Sequence, residues 1–468
     1  MSGMAILSQE VQQAGVEWVA IAILAGLSAA AQVLLRPKPK SPVQDKEPTT
    51  LATRGAYIPW IIGIRRTGAV FGWAGNRQVR QDGGTGGKGG GKGAGGGINT
   101  YYEAGWHQIC VGPASALYRI WQDGKVILDL GSNPLTPGTS PSGASYVLPN
   151  RQGTFRLYWG EAGQPIDPLL QQPTSVGIAS RWPFLCHIVW DQKRLGPAPR
   201  WPNLEYEIGV LPFGTTQVPG MSYLPRTAPA NYDDGVNPAH IIEHLLHQPF
   251  PHGVGRPRSE VETTSLVSLG SLAEAEHLAC SVVARDGATA ESILAPLLQD
   301  VGAMVPYVEG RVRIVPIRPE APNWPILTDD HLLQPRPEIE KLVGEDPADQ
   351  IIYAFHDREH FHRENTFNLD DDGQASMLDS KTGKKVGIES TVNFLTAALI
   401  ADRRAQEDQS SGVGVRIYAS RAARTHHAGQ QVTVAGIPIL FRVASVQPDP
   451  LSGRTVLEVM VDYYSVDP

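Results

Sequence analysis

Over the first two hundred residues the apolar positions come in short runs. Helical spacing appears only later. YIPWIIGIRRTGAVFGW (Tyr57–Trp73) holds two apolar runs broken by Gly63 and the Arg65-Arg66 pair, the pattern of two strands with a bend. YYEAGWHQICVG and ALYRIWQDGKVILDL follow as strands, the second folded at Asp123-Gly124, a strong hairpin signal. GTFRLYWG, FLCHIVWDQ and NLEYEIGVL alternate or run apolar in the same way, so the chain reads as all-β to about residue 212. The middle changes period. In VNPAHIIEHLLHQPF, Asn237 is a good N-cap and Pro238 suits the first helical position, with Ile241, Ile242, Leu245 and Leu246 on one face. Ser271–Val283 predicts a second helix. A third is opened by Thr289 and kinked at Pro296, and a hairpin turns at Glu309-Gly310. Beyond residue 340 come two strands with a charged turn (QIIYAFHDREHFHRENTFNLD). Then comes an amphipathic helix, Thr391–Gln409, with Val392, Leu395, Ala398 and Leu399 on one face. Three or four antiparallel strands close the chain. The boundaries that follow are 1–50, 51–229, 230–335 and 336–468.

Two stretches stand outside this pattern. VEWVAIAILAGLSAAAQVLL (Val16–Leu35) is apolar and rich in small residues, and leads into the extended linker RPKPKSPVQDKEPTT. Glu17 and Gln32 confine its strictly apolar core to Trp18–Ala31, short of the ~20 residues a membrane span needs. Arg36, Lys38 and Lys40 nevertheless give it the flank of an anchor, so a buried or self-associating helix and a membrane helix both stay open. The second stretch is GGTGGKGGGKGAGGG (Gly83–Gly97). Its glycine and lysine spacing imitates a phosphate loop, but Gly93 stands where the magnesium-binding Ser or Thr belongs, and strands lie on both sides. A flexible surface loop is the better reading.

Composition narrows the function. A net charge of −7 is unlike a dedicated nucleic-acid binder. The 49 glycines and 38 prolines exceed usual usage of about 7% and 5%, favouring many short strands. Cys110, Cys186 and Cys280 are far apart with no C-x-x-C, so neither a disulfide framework nor a zinc ribbon is expected, and synthesis in a reducing cytoplasm is. His356, Glu359 and His360 match H-x-x-E-H, an inverted zinc-protease spacing. The motif follows one strand and precedes another, so a hairpin turn is expected rather than a helix that would aim both histidines at a metal. Asp370–Asp372 lacks the spaced oxygens of a calcium loop. His244 and His247, at i, i+3, and His426-His427 read as packing or surface residues. No G-x-S-x-G elbow is present. No catalytic, cofactor-binding or metal-binding residue is expected.

Six segments, in order and over nearly the whole chain, resemble the tail-tip or baseplate hub proteins of long-tailed phages, including the amino-terminal half of the lambda-type tail tip protein and the hubs of gene transfer agents. They are the apolar leader with its PKP linker (Ala20–Pro39); YIPWIIGIRRTGAVFGW; the lysine-glycine loop running into YYEAGWHQICVGPASALYRIWQDGKVI; NPAHIIEHLLHQPFPHGVG; SILAPLLQDVGAMVPYVEGRVRIVP; and the Thr391 helix followed by HHAGQQVTVAGIPILFRVASVQPDPLSGRTVLEV. Ile62 stands where a tyrosine is usual, and His426-His427-Ala428 replaces a Pro-rich entry to the last strands. The sequence ends at Pro468 without the fibronectin-like modules and receptor-binding tail of longer relatives.

The resemblance implies an α+β, mainly β protein. Two tail-tube-like β-barrel hub domains would flank a small α+β domain, with an N-terminal apolar helix ahead of them. It implies a non-enzymatic homotrimer in the virion, made in the host cytoplasm, that closes the tail tube and opens for DNA ejection. Its partners would be the distal tail protein ring, the tape-measure protein and other baseplate or tail-fibre proteins. Phage DNA would pass without sequence-specific binding, and host membrane contact is a further possibility. Trp18, Ile21, Leu24, Leu27 and Leu34 would gather three copies near the axis, against the lumen or the tape-measure protein. Gly86, Lys88, Lys92 and Gly95 would reach a neighbouring ring or the lumen, or belong to a simply flexible loop. A tail-associated zinc hydrolase using His356, Glu359 and His360, and a membrane-anchored protein, are the competing readings.

Overall fold

The computed structural model describes residues 56–82, 98–171, 180–211, 235–248, 253–285, 288–318, 325–328, 331–333, 338–340, 350–370, 383–410, 414–435, 437–449 and 453–462. The leader with Trp18, Ile21, Leu24, Leu27 and Leu34, and the loop with Gly86, Lys88, Lys92 and Gly95, lie outside these residues. Among the described residues no helix is long and apolar enough to cross a membrane.

The fold is α+β and mainly β, with two curled half-barrel sheets and four helices among the described residues. The first sheet is built from β1 (Trp60–Gly68), β2 (Val70–Asp82), β3 (Ile98–Val111), β4 (Ala116–Gln122), β5 (Lys125–Asp129), β6 (Ser145–Val147), β7 (Thr154–Tyr158), β8 (Leu185–Gly196) and β9 (Leu204–Val210), joined by β10 (Val282–Ala284). Its order is β5-β4-β9-β1-β3-β8-β7-β6, with β2 on β3 and β10 on β1. Turn chemistry sets the β4–β5 hairpin: Asp123 and Gly124 both take the left-handed backbone that a tight two-residue turn requires (φ 49° and 75°). Alternation sets the faces. Leu204, Tyr206 and Ile208 of β9 enter the apolar core with Ile109, Trp159, Ile188 and Trp190.

Three helices pack beside this sheet. In α1 (Pro238–His247) the Asn237 side chain caps the Ala239 N–H at 3.0 Å, and all four expected apolar residues are buried. The second predicted helix is displaced. α2 spans Thr263–Ala275, and the chain is already extended at Val282, because β10 pairs with β1 across Trp60–Ile62. α3 (Ala290–Val301) is opened by a capping box between Thr289 and Ser292, carries Pro296 inside, and ends on left-handed Gly302.

The strands from Ile326 onward form two further sheets. β11 (Gln350–Asp357), β12 (Arg363–Asp370) and β13 (Gly383–Gly387) make a three-stranded sheet. Six strands make the other, in the order Ile326–Leu327, β15 (Gln431–Val434), β16 (Ile437–Pro448), β17 (Thr455–Val461), β14 (Gly414–Ala419) and Glu338–Glu340. α4 (Phe394–Ser410) buries Ala397, Ile400 and Ala401 against Tyr353, Phe355 and Ile388, and Arg404 ion-pairs with buried Asp300 of α3. This corrects the expected face: Leu395 is 72% exposed. Two alanines allow close approach to the sheet, and the ion pair to α3 fixes the rotation. Leu395→Ser is therefore expected to change unfolding free energy by less than about 0.5 kcal/mol in a urea titration, where a core leucine would cost about 2–5 kcal/mol.

Candidate functional site

β1 is where the parts of the molecule meet. Its first residues, Trp60–Ile62, pair with β10, and its last, Gly63–Gly68, pair with β9. The change of partner falls at Gly63, whose φ is +92°. A Cβ there would lie 2.4 Å from Ser281 Oγ and 2.7 Å from Ser281 Cα. Only glycine tolerates both the left-handed backbone and that approach. The close contact is used: Ser281 Oγ accepts from the Ile64 N–H at 3.0 Å. Arg65, next along, sends its guanidinium to the carbonyl oxygens of Ser281 and Glu389. Burial lowers its pKa to about 10, against the pull of Glu389, so it stays charged at neutral pH. Around it, Ser281 N donates to Ser390 O at 2.5 Å and Thr391 Oγ1 to Ala279 O at 2.7 Å. One arginine thus joins the first sheet, the helical unit and the segment entering α4.

Arg66 faces the other side of β1. The ladders set Arg66 opposite Glu207, Glu207 opposite Arg119 and Arg119 opposite Asp129, so alternating charges run across four strands on one face. The turn between β11 and β12 sits on this face. It contains Glu359 and His360 of the H-x-x-E-H motif, with His356 on the strand before it, and it is the hairpin turn expected from the sequence. Phe361 and His362 both adopt left-handed backbone (φ 60° and 59°), and His362 N donates to Asp357 O at 2.7 Å. Arg358 reaches down to Glu207 Oε1 at 2.5 Å while its guanidinium lies 4.5 Å from the Tyr118 ring centre. Arg119 bonds Glu207 Oε2 at 3.1 Å and stacks 5.2 Å from the Phe361 ring. Arg66 donates to Glu205 Oε2 at 2.8 Å and to the Phe361 carbonyl at 3.2 Å.

Glu207 is wholly buried, and burial alone would push its carboxyl up. Contacts from His362 and Arg358 more than reverse this and hold it near 2. His362 itself is pushed down by burial despite Glu207, and its Nε2 stands 3.6 Å from the carboxylate. At neutral pH the imidazole is therefore uncharged, and the two arginines keep the anion. The cluster is a latch between two sheets.

The histidines of the motif are placed accordingly. His356 is on the strand, with Nδ1 3.2 Å from His362 O, and His360 is on the exposed turn, with Nδ1 2.7 Å from Asp357 Oδ2. Glu359 gives its backbone N–H to Asp357 Oδ1 at 2.9 Å. They do not converge, and among the described residues no group of three or more His, Cys, Asp or Glu is placed to hold a metal ion. His360→Ala is expected to cost less than about 1 kcal/mol, since the imidazole is exposed and Asp357 keeps its bonds to Glu359 and Asn365. Asp357→Ala, which strips three side-chain bonds from a buried carboxylate, should cost about 2 kcal/mol or more in the same urea titration. His244 is buried and stacks 5.2 Å from Trp60. His247 Nδ1 lies 2.8 Å from Arg256 O, and His426 and His427 lie around Gln430. Asp371 and Asp372 lie outside the described residues. Glu205, Glu207, Arg119 and Arg358 were not singled out from the sequence. For Glu205, Glu207 and Arg119 the signal is charge set among apolar strand residues, E-Y-E and R-I-W, and Arg358 is one charge of a charged turn.

No protein-family model matches the chain, and no curated protein matches it. Among solved structures, the virion of the native gene transfer agent (GTA) particle contains a chain that superposes with a TM-score of 0.66 at 14% identity, over 99% of this chain and 98% of that one. At that identity the likeness establishes a shared fold, and it agrees with the resemblance read from the sequence. Two tail proteins superpose too loosely to define a common fold. That from Neisseria meningitidis MC58 has a TM-score of 0.29 at 15% identity, over 40% of this chain and 59% of its own. The 43 kDa tail protein of prophage MuSo2 from Shewanella oneidensis has 0.29 at 10%, over 79% and 91%.

Proposed function

From the fold it shares with a chain of the gene transfer agent virion, we propose that this protein is a structural component of a phage-like virion and serves as the hub of its tail tip. The observation that carries this is the extent of the match, nearly the full length of both chains. A fragmentary match would speak only for a common barrel. The latch is in keeping with it. A hub must hold its domains rigidly against load, and the buried charges described above tie parts of the chain together rather than serve a cleft. In this reading residues 51–229 and 336–468 form two tube-like barrels around a small domain at 230–335. Three subunits give six barrels, matching a hexameric ring of distal tail protein. Residues 1–50 gather at the axis against the tape-measure protein, and the hub closes the tube, carries fibres and opens for DNA.

The purified protein, with and without residues 1–50, tests this by light scattering. A threefold mass, in both forms or only with the leader, is expected. A stable dimer in both forms would overturn the threefold hub. Peptides of this chain are likewise expected in purified particles, and particles lacking it would remove the virion assignment.

A further inference from the structure

Cys110 and Cys186 are remote in sequence but directly opposed in the β3–β8 ladder. Both are fully buried and both belong to the same apolar cluster, so their side chains leave the sheet on one face. Opposed residues of antiparallel strands have Cα atoms about 4.5–5.5 Å apart, inside the roughly 4.4–6.8 Å range that a disulfide spans. The thiols touch. The Cys186 thiol is held well above its ordinary range, first by its hydrogen bond with Cys110 and then by burial. Cys280 is equally buried but lies in a different core cluster.

We propose that Cys110 and Cys186 are a disulfide-forming pair, reduced while the chain folds inside the cell and joined when the protein meets an oxidising environment. A small-molecule disulfide is the oxidant. One protein thiolate attacks it, releasing one small thiolate and leaving a mixed disulfide. The second protein thiolate attacks the protein sulfur of that bond and expels the other small thiolate. The two protons of the protein thiols end on the two released thiols, and the two electrons have reduced the oxidant. The raised pKa and burial make the step slow, waiting on local opening of the strands. The bond would then tie β3 to β8 around the whole β4–β7 stretch, a long loop of the kind whose closure most restricts the unfolded chain. The bond follows from geometry alone, whereas its timing rests on the virion reading above.

The full-length protein is held with oxidised and reduced glutathione, in urea below its unfolding transition, until an alkylating reagent in a parallel sample has labelled both thiols and so shown that they open. Non-reducing digestion and mass spectrometry then report the bonds. The expected result is a single Cys110–Cys186 peptide pair, with Cys280 the one of the three cysteines still open to alkylation, and only glutathione adducts in Cys186→Ala. Opened thiols that stay reduced, separate glutathione adducts on the two in the unaltered protein, or a bond to Cys280 would overturn the pairing. The chain recovered from particles should carry the bond, and that from cell extracts should not. If the bond forms in the buffer but is missing from particles, the timing fails and the pair stands. If the chain is missing from particles, the virion reading fails instead.

Discussion

Arg358→Ala is expected to destabilise the protein by about 3–5 kcal/mol, read as a lower midpoint in urea unfolding. The size comes from what is left behind. Glu207 is wholly buried and receives Arg358 at 2.5 Å and Arg119 at 3.1 Å. With Arg358 gone, a desolvated carboxylate keeps one close cation. Glu207→Gln in the same protein should recover part of the loss, because the amide carries no charge to strand. Acid provides the independent check. The folded-state pKa of Glu207 is depressed to about 2 from 4.5, so the unfolded chain takes up the proton first as pH falls. The stabilisation is complete above pH 4.5, declines through the window between the two values, and is gone below about 2. It amounts to about 3 kcal/mol at most. The acid limb of a stability–pH curve should flatten in Glu207→Gln. An unchanged limb would mean that other carboxylates carry the acid sensitivity.

Gly63→Ala is expected to cost about 3 kcal/mol or more, with part of the protein failing to fold. Two effects add. A left-handed alanine costs roughly 1–2 kcal/mol. The new methyl also meets Ser281 Cα at 2.7 Å and Cys280 O at 2.8 Å, backbone atoms that cannot swing away, and overpacking of this kind costs typically 1–3 kcal/mol. Gly124→Ala separates the two. Gly124 also has a positive φ, 75°, but a Cβ there meets nothing within 4 Å, so only the conformational cost of about 1–2 kcal/mol remains. Equal losses at both positions would show that the approach of Ser281 to β1 is not what requires glycine.

The features legible in the sequence are those set by neighbours along the chain. Asn237-Pro238, Asp123-Gly124, Glu309-Gly310 and Thr289 each carry their turn or cap in a few residues, and each forms as expected. The helical period of α4 was also legible, but not its rotation. Leu395 is the larger apolar residue, yet packing against Tyr353 and the pull of Asp300 on Arg404 turn the alanines inward. The latch was hidden for a similar reason. Arg358 and Glu207 are 151 positions apart, and a charged face of a strand reads as solvent until something is known to cover it. The Cys110–Cys186 contact depends on strand register, which no local pattern specifies.

The double pairing of β1 also bears on how the chain is made. Trp60–Gly68 leaves the ribosome early, but Ser281, which receives the Ile64 amide, follows 217 positions later, and Glu389, which receives Arg65, follows 324 later. Until then the strand has apolar residues and ladder groups with no native partner on one side, a sticky edge in a growing chain. Such distant closures are slow to form. A nascent chain interrupted before the β11–β12 turn would carry the first sheet without its lock. Emergence of the segment around Glu389 is thus the event that makes the junction possible, and copies cut short of it would lack this clasp.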